Sequence, residues 1–557
     1  MLRTHTNARY AYRRSADQEI SPAVRHEVIV VGAGPVGLAL AIDLAQRGIR
    51  VVLLDDDDTV SIGSRAVCYA KRSLEILDRL GCAEEVARRG VSWSVGKVFF
   101  HDRQVYAFNL LPEAGHHRPA FVNLQQYHFE EILVARAGEL PGIDLRWKHA
   151  VQGVEVRPDH VRLTVGTPDG EYALECAWLI ACDGAKSPVR HALGLEAKGQ
   201  AFRDRFLIAD VLMKADYPTE RWFWFDPPFH PGQSTLLHRQ ADNVWRIDFQ
   251  LGWEADPEVE KQPERVLPRL KQMLGTREFE LEWVSVYSFA CRRMERFRHG
   301  RVLFAGDAAH QVSPFGARGA NSGIQDADNL AWKLALVLQG QAPEALLDSY
   351  STERVEAADE NILNSTRATD FITPKSAVSK LFRDAALTLA EHYPFARRLV
   401  NSGRLSQPSV HLASPLNTPD TDAFVGAMVP GAPALDAPVD GGQGYGWLLD
   451  ALGGCFTLLY YAGAASELPR RIVEAINALA ADAVPVKCVV LALPGSRVHA
   501  PPATTVLCDA EGLAAVRYDL RPGSCYLFRP DQLVCARWRW LDLDHIRQAR
   551  ARALRAA

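Results

Sequence analysis

The sequence predicts an α/β protein built from three parts: a Rossmann-like nucleotide-binding domain, a mostly antiparallel β-sheet inserted into it, and a separate C-terminal α/β domain. Three observations carry this expectation. Near the N-terminus a β-branched run leads into a G-x-G-x-x-G turn and then a helical pattern. The middle of the chain breaks into short aromatic-rich segments with period-two alternation. A proline- and serine-rich stretch then precedes a second alternation of strand and helix patterns.

Bulk properties narrow the function classes. A chain of 557 residues that is 48% hydrophobic and 23% charged can bury several cores. A net charge of −4, with no basic stripe, gives no reason to expect nucleic acid as a partner. No run of about 18 apolar residues occurs, so no membrane span is expected. Residues 1–24 are polar and lack an apolar signal core, so they read as a late-packing or mobile tail on a cytoplasmic protein. The ten cysteines are scattered with no C-x-x-C pair, which points to reduced, buried thiols and no Cys/His metal site.

The nucleotide-binding domain starts at "HEVIVVGAGPVGLALAIDLAQRGIRVVLLDDDD". Glu27 to Val31 form a strand run, and Gly32, Gly34 and Gly37 supply the fingerprint. Pro35 opens a helix with Leu38, Ile42 and Ala45 on one side, and a second strand from Arg50 ends at Asp55. Gly32 permits the tight turn, Gly34 lets the backbone approach a pyrophosphate, and Gly37 lets helix and strand pack closely. The pyrophosphate would rest on the free N–H groups of the helix start, beside Pro35 and Val36. Asp55 would accept hydrogen bonds from a ribose, and Asp56, Asp57 and Asp58 read as a solvated turn.

Two further segments share this logic. "WLIACDGAKSPVRHALGL" places Asp183 and Gly184 after a strand, followed by Ser187, Arg190 and Gly194, with Pro188 at a tolerated first helical turn. "RVLFAGDAAH" delivers Gly306 and Asp307 to the end of another strand, where ligands of open α/β sheets lie. "QVSPFGARGANSG" then bends through several glycines into an amphipathic helix.

The order G-x-G-x-x-G, D-G, G-D resembles the FAD-dependent aromatic-ring monooxygenases typified by para-hydroxybenzoate hydroxylase and phenol hydroxylase. Similarity in look is greatest to the branch with 3-(3-hydroxyphenyl)propionate hydroxylase and pentachlorophenol monooxygenase. "SRAVCYAKRSLEILDRLG" and "LQQYHFEEIL" add to the likeness. The resemblance implies that Asp307 binds the ribityl chain of FAD and that Arg65 and Gln126 contact the cofactor. It implies that the Pro314–Asn321 loop lies against the flavin ring, with backbone N–H groups of Gly319, Ala320 and Asn321 facing it. The carbonyl of Pro314 would lie over the reacting face. Arg318, where relatives often carry glutamine or lysine, would either add positive potential beside the flavin or pair on the surface. Relatives usually carry a second proline where this chain has Ser313. Pro314 and Arg318 are thereby the catalytic candidates, Asp183 is a candidate cofactor contact that also reads as architectural, and Arg72 and His310 read as architectural, with Arg72 in a helix salt bridge.

Between the second and third motifs, "FLIADVLM", "RWFWFD", "STLLHRQ" and "VWRIDFQL" read as strands. The resemblance makes this sheet the roof of a substrate pocket. On the last strand, Trp245, Ile247 and Phe249 share one face and form the expected pocket wall. Arg246, Asp248 and Gln250 share the other, read as the solvent face. Trp222, Trp224, His238 and Tyr287 are further pocket candidates that fit core positions equally well. "WFWFDP" mimics a W-x-W-x-I-P halogenase stretch, but Asp226 replaces the isoleucine and the likeness is read as coincidence.

Helical segments run on to about Arg404, and "SQPSVHLASPLNTPD" reads as a linker. "DGGQGYG" has no preceding strand and reads as a loop. The stretch from Ala423 to the C-terminus resembles the family's thioredoxin-like C-terminal domain, without the C-x-x-C pair. The expected division is 1–24 for the tail; 25–95, 119–205 and 288–405 for the FAD-binding domain with its helical extension; 96–118 and 206–287 for the substrate-binding sheet; 406–422 for the linker; and 423–557 for the C-terminal domain. No flavin motif lies beyond the linker, so cutting near Pro415 is expected to leave FAD bound while changing oligomeric state or solubility.

No second dinucleotide fingerprint is present, so NADH or NADPH would bind transiently. The resemblance implies hydroxylation of a small phenolic substrate with O2 through a flavin C4a-hydroperoxide. Open alternatives are another flavin-dependent oxidoreductase on the same fold (epoxidase, halogenase or reductase) or a non-catalytic flavoprotein acting as an interaction module. A homodimer is compatible with the sequence.

Overall fold

The computed structural model describes residues 4–63, 65–400, 405–441, 444–502 and 504–556. The expected helix end near Arg404 and the middle of the Asp440–Gly446 loop lie outside these residues.

The nucleotide-binding sheet is parallel at its centre. Its strands run in the spatial order Val302–Phe304, Gly170–Ala181, Arg25–Val31, Val51–Asp55, Ile143–Trp147. Strands covered on both faces need apolar residues throughout. Val28, Ile29, Val30, Leu53 and Leu54 are accordingly buried. The helix Pro35–Gln46 packs against the long helix Gly319–Leu338 on one face. This order brings the carboxyl ends of three strands together, with Gly32 N–H donating to Leu54 O at 2.7 Å and Ala305 N–H to Ala181 O at 3.0 Å.

The inserted sheet has eight strands in the order His310–Gln311, Glu280–Met294, Ala197–Leu212, Val244–Leu251, Ser234–Arg239, Arg221–Phe225, Val95–Phe100, Arg103–Asn109. Every pair is antiparallel except Arg221–Phe225 with Val95–Phe100. All four expected strands are present.

The two faces of that sheet are the reverse of the sequence expectation. Trp245, Ile247 and Phe249 are buried against Val266, Leu270 and Leu274 of the amphipathic helix Pro263–Leu274, which covers the far side of the sheet. Trp222 and Trp224 stand in the same rows, opposite Leu237 and Thr235, and join that cluster. These five residues therefore form the outer core and not a pocket wall. The polar row does not meet solvent: Arg246 and Gln250 are buried, and Arg246 pairs with Asp210 at 2.9 Å. Strand alternation defines two faces without saying which partner covers each, and a covering helix takes the more apolar one.

The N-terminal segment is packed rather than loose. Tyr10 stacks on Trp147 at 4.5 Å. Asn7 donates to Val60 O and Ser61 O, and Asp17 pairs with Arg146 at 2.6 Å.

The C-terminal sheet runs Val439–Asp440, Thr504–Asp509, Val486–Ala492, Phe456–Gly463, Cys525–Phe528, Val534–Trp538. Its second, third and fourth strands are parallel and the last two antiparallel. Its core takes in Trp332 and Leu346 from the FAD-binding part. A buried ionic network crosses this junction. Arg529 donates to Glu353 at 2.6 and 3.0 Å and to Asp531 at 2.6 Å, and Lys333 donates to Glu353 at 2.7 Å. Arg72 is not merely an intrahelical partner: it donates to Asp328 at 3.2 Å, Gln532 at 3.0 Å and Asp531 O at 2.7 Å.

Candidate functional site

The site lies at the carboxyl ends of the parallel strands. Gly32 has φ +100°, and a Cβ there would sit 2.5 Å from Cys182 O. A Cβ at Gly37 would sit 1.9 Å from Gly32 O, so only glycine lets strand turn and helix meet. A Cβ at Gly34 would meet nothing within 4 Å. The chain is tight where the fold needs it and open where a pyrophosphate would approach the helix start.

Asp55 ends its strand facing this turn. Its Oδ2 accepts from Ala33 N at 2.6 Å and its Oδ1 from Asp57 N at 2.9 Å. Burial pushes the carboxyl up to about 6, opposed by those two N–H groups and reinforced by Asp56 and Asp57. Gln126 accepts from Ala66 N at 2.8 Å and donates to Glu130 at 2.7 Å, so its side chain positions the loop carrying Arg65. Arg65 is exposed, and its carbonyl accepts from Arg246 Nη1 at 3.1 Å.

Asp183 Oδ2 caps the short helix Pro188–Ala192 through Val189 N at 3.0 Å, while its buried Oδ1 has no partner. Burial raises its pKa. Arg190 donates to Ala308 O at 2.7 Å and ties this turn to the Gly306–Asp307 turn. Asp307 is enclosed by neighbouring elements that raise its pKa through burial, yet its side chain is open to solvent space. It thus faces an internal cleft. His310 is structural: its Nε2 donates to Asp326 at 2.6 Å, and Asp326 also accepts from Gly306 N at 2.9 Å.

The glycine-rich bend ends in the helix Gly319–Leu338. The N–H groups of Gly319, Ala320 and Asn321 open that helix and have no acceptor within it. The Asn321 side chain is committed elsewhere, accepting from Ala70 N at 2.8 Å and donating to Cys68 O at 2.9 Å. Pro314 is exposed, and its carbonyl accepts from Ala317 N at 3.1 Å, closing a turn in which Ala317 has φ +54°. Ser313 lies buried and accepts from Thr369 Oγ1 at 3.0 Å. Arg318 is not on the surface: it is buried and donates to Asn361 at 2.7 Å, and burial lowers its pKa to about 10.

Of the expected pocket residues, Tyr287 lies on the cleft side, while His238 is buried on the same sheet face against Asn123 and Cys68. The electrostatic surroundings of Tyr287 include Arg65 and Asp307 on one side and Arg246 and Asp248 on the other. Sequence reasoning missed Arg221, Arg246, Asp210 and Asp248. The one signal for them was the charged row within aromatic strands. An aromatic cavity of about 360 Å³ lies under the same sheet, lined by Val98, Phe108, Phe223, Phe225, Phe315 and Phe371 among others. The residues thus fit an FAD: an open glycine turn, an orphaned carboxylate oxygen, a cleft-facing carboxylate and a free helix start.

Comparison with known proteins agrees with this geometry. The FAD binding domain family model matches residues 25–365. The 6-methylpretetramide 4-monooxygenase of Streptomyces rimosus is 34% identical over 415 residues, 72% of each chain. A 3-(3-hydroxy-phenyl)propionate/3-hydroxycinnamic acid hydroxylase of Shigella sonnei is 30% identical over 390 residues, covering 68% of this chain and 69% of that protein. The crystal structure of the flavin-dependent monooxygenase PieE with FAD and substrate aligns over 96% of this chain and 100% of its own, with a TM-score of 0.79 and 22% identity. Among the described residues no helix is long and apolar enough to cross a membrane.

Proposed function

The chain belongs to the FAD binding domain family, and from that membership we propose that it is an FAD-dependent monooxygenase that hydroxylates a phenolic compound with NAD(P)H and O2. The observation that carries the reading is the meeting of the Gly32–Gly37 turn, Asp55, Asp183 and Asp307 on one cleft roofed by an aromatic sheet. When bound, FAD supplies the electron acceptor for NAD(P)H and the centre at which O2 is activated.

The chain's own residues hold and surround that cofactor. Gly32, Gly34, Pro35, Val36 and Gly37 seat the pyrophosphate, and Asp55 accepts the ribose hydroxyls. Asp307 and Gly306 take the ribityl chain, with Asp183 setting the neighbouring turn. Gln126 and Arg65 border the cofactor from the side. The free N–H groups of Gly319, Ala320 and Asn321 would hold negative charge on the cofactor's ring. Pro314 shapes the turn at the ring. Arg318, buried and anchoring the loop to Asn361, would lend positive potential to this end of the site. The aromatic cavity excludes water around the substrate.

We divide the chain with 96–118 and 206–287 as the roof and the remaining 25–405 as the FAD-binding part, although the roof strands Ala197–Leu212 and Glu280–Met294 run past these bounds. The C-terminal part is read as thioredoxin-like. Its strand–helix–strand unit followed by an antiparallel pair and a closing helix supports this. Dependence on NAD(P)H supply favours the cytoplasm as its place of work.

A panel of phenols screened for stimulated NAD(P)H oxidation, O2 uptake and product mass tests the function. A phenol that gains one oxygen atom supports it. Flavin-free protein, or peroxide as the only product with every phenol, contradicts it.

A further inference from the structure

We propose that Arg221, His238 and Asp248 form the subsite that selects the substrate, a phenol carrying a keto or carboxylate oxygen beside its hydroxyl group. The proposal rests on the reading of the chain as an FAD-dependent hydroxylase.

Three buried atoms on one sheet face have no hydrogen-bond partner: Arg221 Nε, His238 Nε2 and Asp248 Oδ1. A buried polar atom left without a partner is costly, so a group of three on one face calls for a ligand. The strand register brings them together. Arg221 stands directly opposite His238, His238 stands opposite Arg246, and Asp248 lies two residues further along that strand on the same face. Directly opposite residues have Cβ atoms about 5 Å apart, and diagonal ones about 7 Å.

The polarity of each atom follows from its surroundings. Trp93 Nε1 donates to Asn123 Oδ1 at 2.7 Å, which turns the Asn123 amide nitrogen towards Arg239 O at 2.8 Å and His238 Nδ1 at 3.4 Å. His238 Nδ1 is therefore the acceptor, and the proton sits on Nε2. Burial, with Arg221 and Arg246 nearby, keeps the ring neutral. Arg221 Nε–H can only donate. Asp248 is pushed up to about 6 by burial, against the pull of Arg246 and Arg221, so at neutral pH its carboxylate accepts.

The subsite thus offers two adjacent donors and one acceptor. Two donors match the lone pairs of a carbonyl oxygen or the two oxygens of a carboxylate. The acceptor matches a phenolic hydroxyl. Arg221 lies over the Phe223 ring at 5.0 Å, and Phe223 and Phe225, next along the same strand face, line the aromatic cavity, so a ring system in that cavity must pass Phe223 to reach the three atoms. In the reaction the hydroxyl proton passes to Asp248 and its electron pair enriches the ring carbons ortho and para to that oxygen. One atom of O2 joins such a carbon. The other leaves as water, carrying the hydrogen and two electrons of NAD(P)H and one proton from solvent; on rearomatisation the ring proton passes to the new oxygen, and Asp248 returns its proton to the first.

The holoenzyme is titrated with 2,4-dihydroxyacetophenone, 2,4-dihydroxybenzoate and resorcinol, read by flavin absorbance. Flavin content and NAD(P)H oxidation without any aromatic report on the cofactor reading separately. The wild-type protein should bind one of the two carbonyl probes at least tenfold more tightly than resorcinol. His238→Phe should narrow that ratio to less than threefold, and His238→Gln, which keeps a donor, should retain it. A selective loss of the benzoate probe in Arg221→Met marks the oxygen as a carboxylate; a selective loss of the acetophenone probe marks it as a ketone. Flavin-loaded Asp248→Asn should give at least tenfold less hydroxylated product per NAD(P)H, with hydrogen peroxide in its place. Equal affinity for all three probes, an unchanged ratio in His238→Phe, or wild-type coupling in Asp248→Asn overturns the proposal.

Discussion

Asp55 stands between a turn that needs its charge and surroundings that oppose it. Burial pushes its carboxyl up to about 6, while the Ala33 and Asp57 N–H groups favour the ionised form. Ribose hydroxyls donate best to a carboxylate, so FAD binding favours loss of the proton. The affinity should be full above about pH 6 and should fall as the pH drops through about 6, approaching tenfold per pH unit below it. Asp55→Asn should flatten that dependence, as equilibrium dialysis of flavin across pH 5–8 will measure. Asp307→Ala removes a cleft-facing acceptor and should weaken FAD by about 1–3 kcal/mol, read from the dissociation constant. An Asp307→Ala protein that holds flavin as tightly as the wild type would place the ribityl contact elsewhere.

At the scale of elements, the start of the helix Gly319–Leu338, proposed to face the flavin, depends on a close crossing. Val36, at the start of the first helix, lies between Gly306 and Gly323. A Cβ would fall 2.9 Å from its Cγ2 at Gly306 and 2.5 Å from it at Gly323. Alanine at a helix-interior glycine ordinarily adds up to about 1 kcal/mol. At Gly323 the clash wins, because overpacking a rigid contact costs about 1–3 kcal/mol. Gly323→Ala should therefore lower Tm and loosen FAD, and adding Val36→Ala should recover part of both. Thermal melting of the two single variants, the double variant and the parent gives the coupling directly.

Across the whole molecule, the C-terminal part is joined to the FAD-binding part by charge as well as by apolar packing. Glu353 on the helix Leu346–Ile372 receives Arg529 from the C-terminal sheet, Lys333 from the flavin-facing helix and Ser414 from the connecting segment. Removing one partner leaves the others buried and uncompensated. Glu353→Gln should cost about 3–5 kcal/mol, visible as a lower Tm. The packing across this junction argues that the flavin depends on the chain beyond the linker, against the expectation that its removal changes only oligomeric state or solubility. A protein ending near Pro415 lacks Arg529 and exposes Trp332 on the helix Gly319–Leu338, whose first turn is proposed to face the flavin. It should aggregate or lose flavin, which size-exclusion chromatography with flavin absorbance will show. A monodisperse, flavin-loaded truncated protein would contradict this coupling.

The sequence by itself determined the nucleotide turn, the acids at the strand ends, the glycine-rich bend and the four roof strands. Each is a local pattern whose physics needs only neighbours along the chain: a positive φ at Gly32, a free helix start after Arg318, period-two alternation in "VWRIDFQL". Tertiary structure decided which face of the roof meets the cleft. Alternation is symmetric until a helix 12–30 residues downstream covers one side, and that helix took Trp245, Ile247 and Phe249. It also decided that Arg318 turns inward to Asn361 and that Arg72 bridges to a strand pair some 460 residues away. A charged residue's partner is set by where distant segments of the chain come to rest, and no local spacing encodes that position.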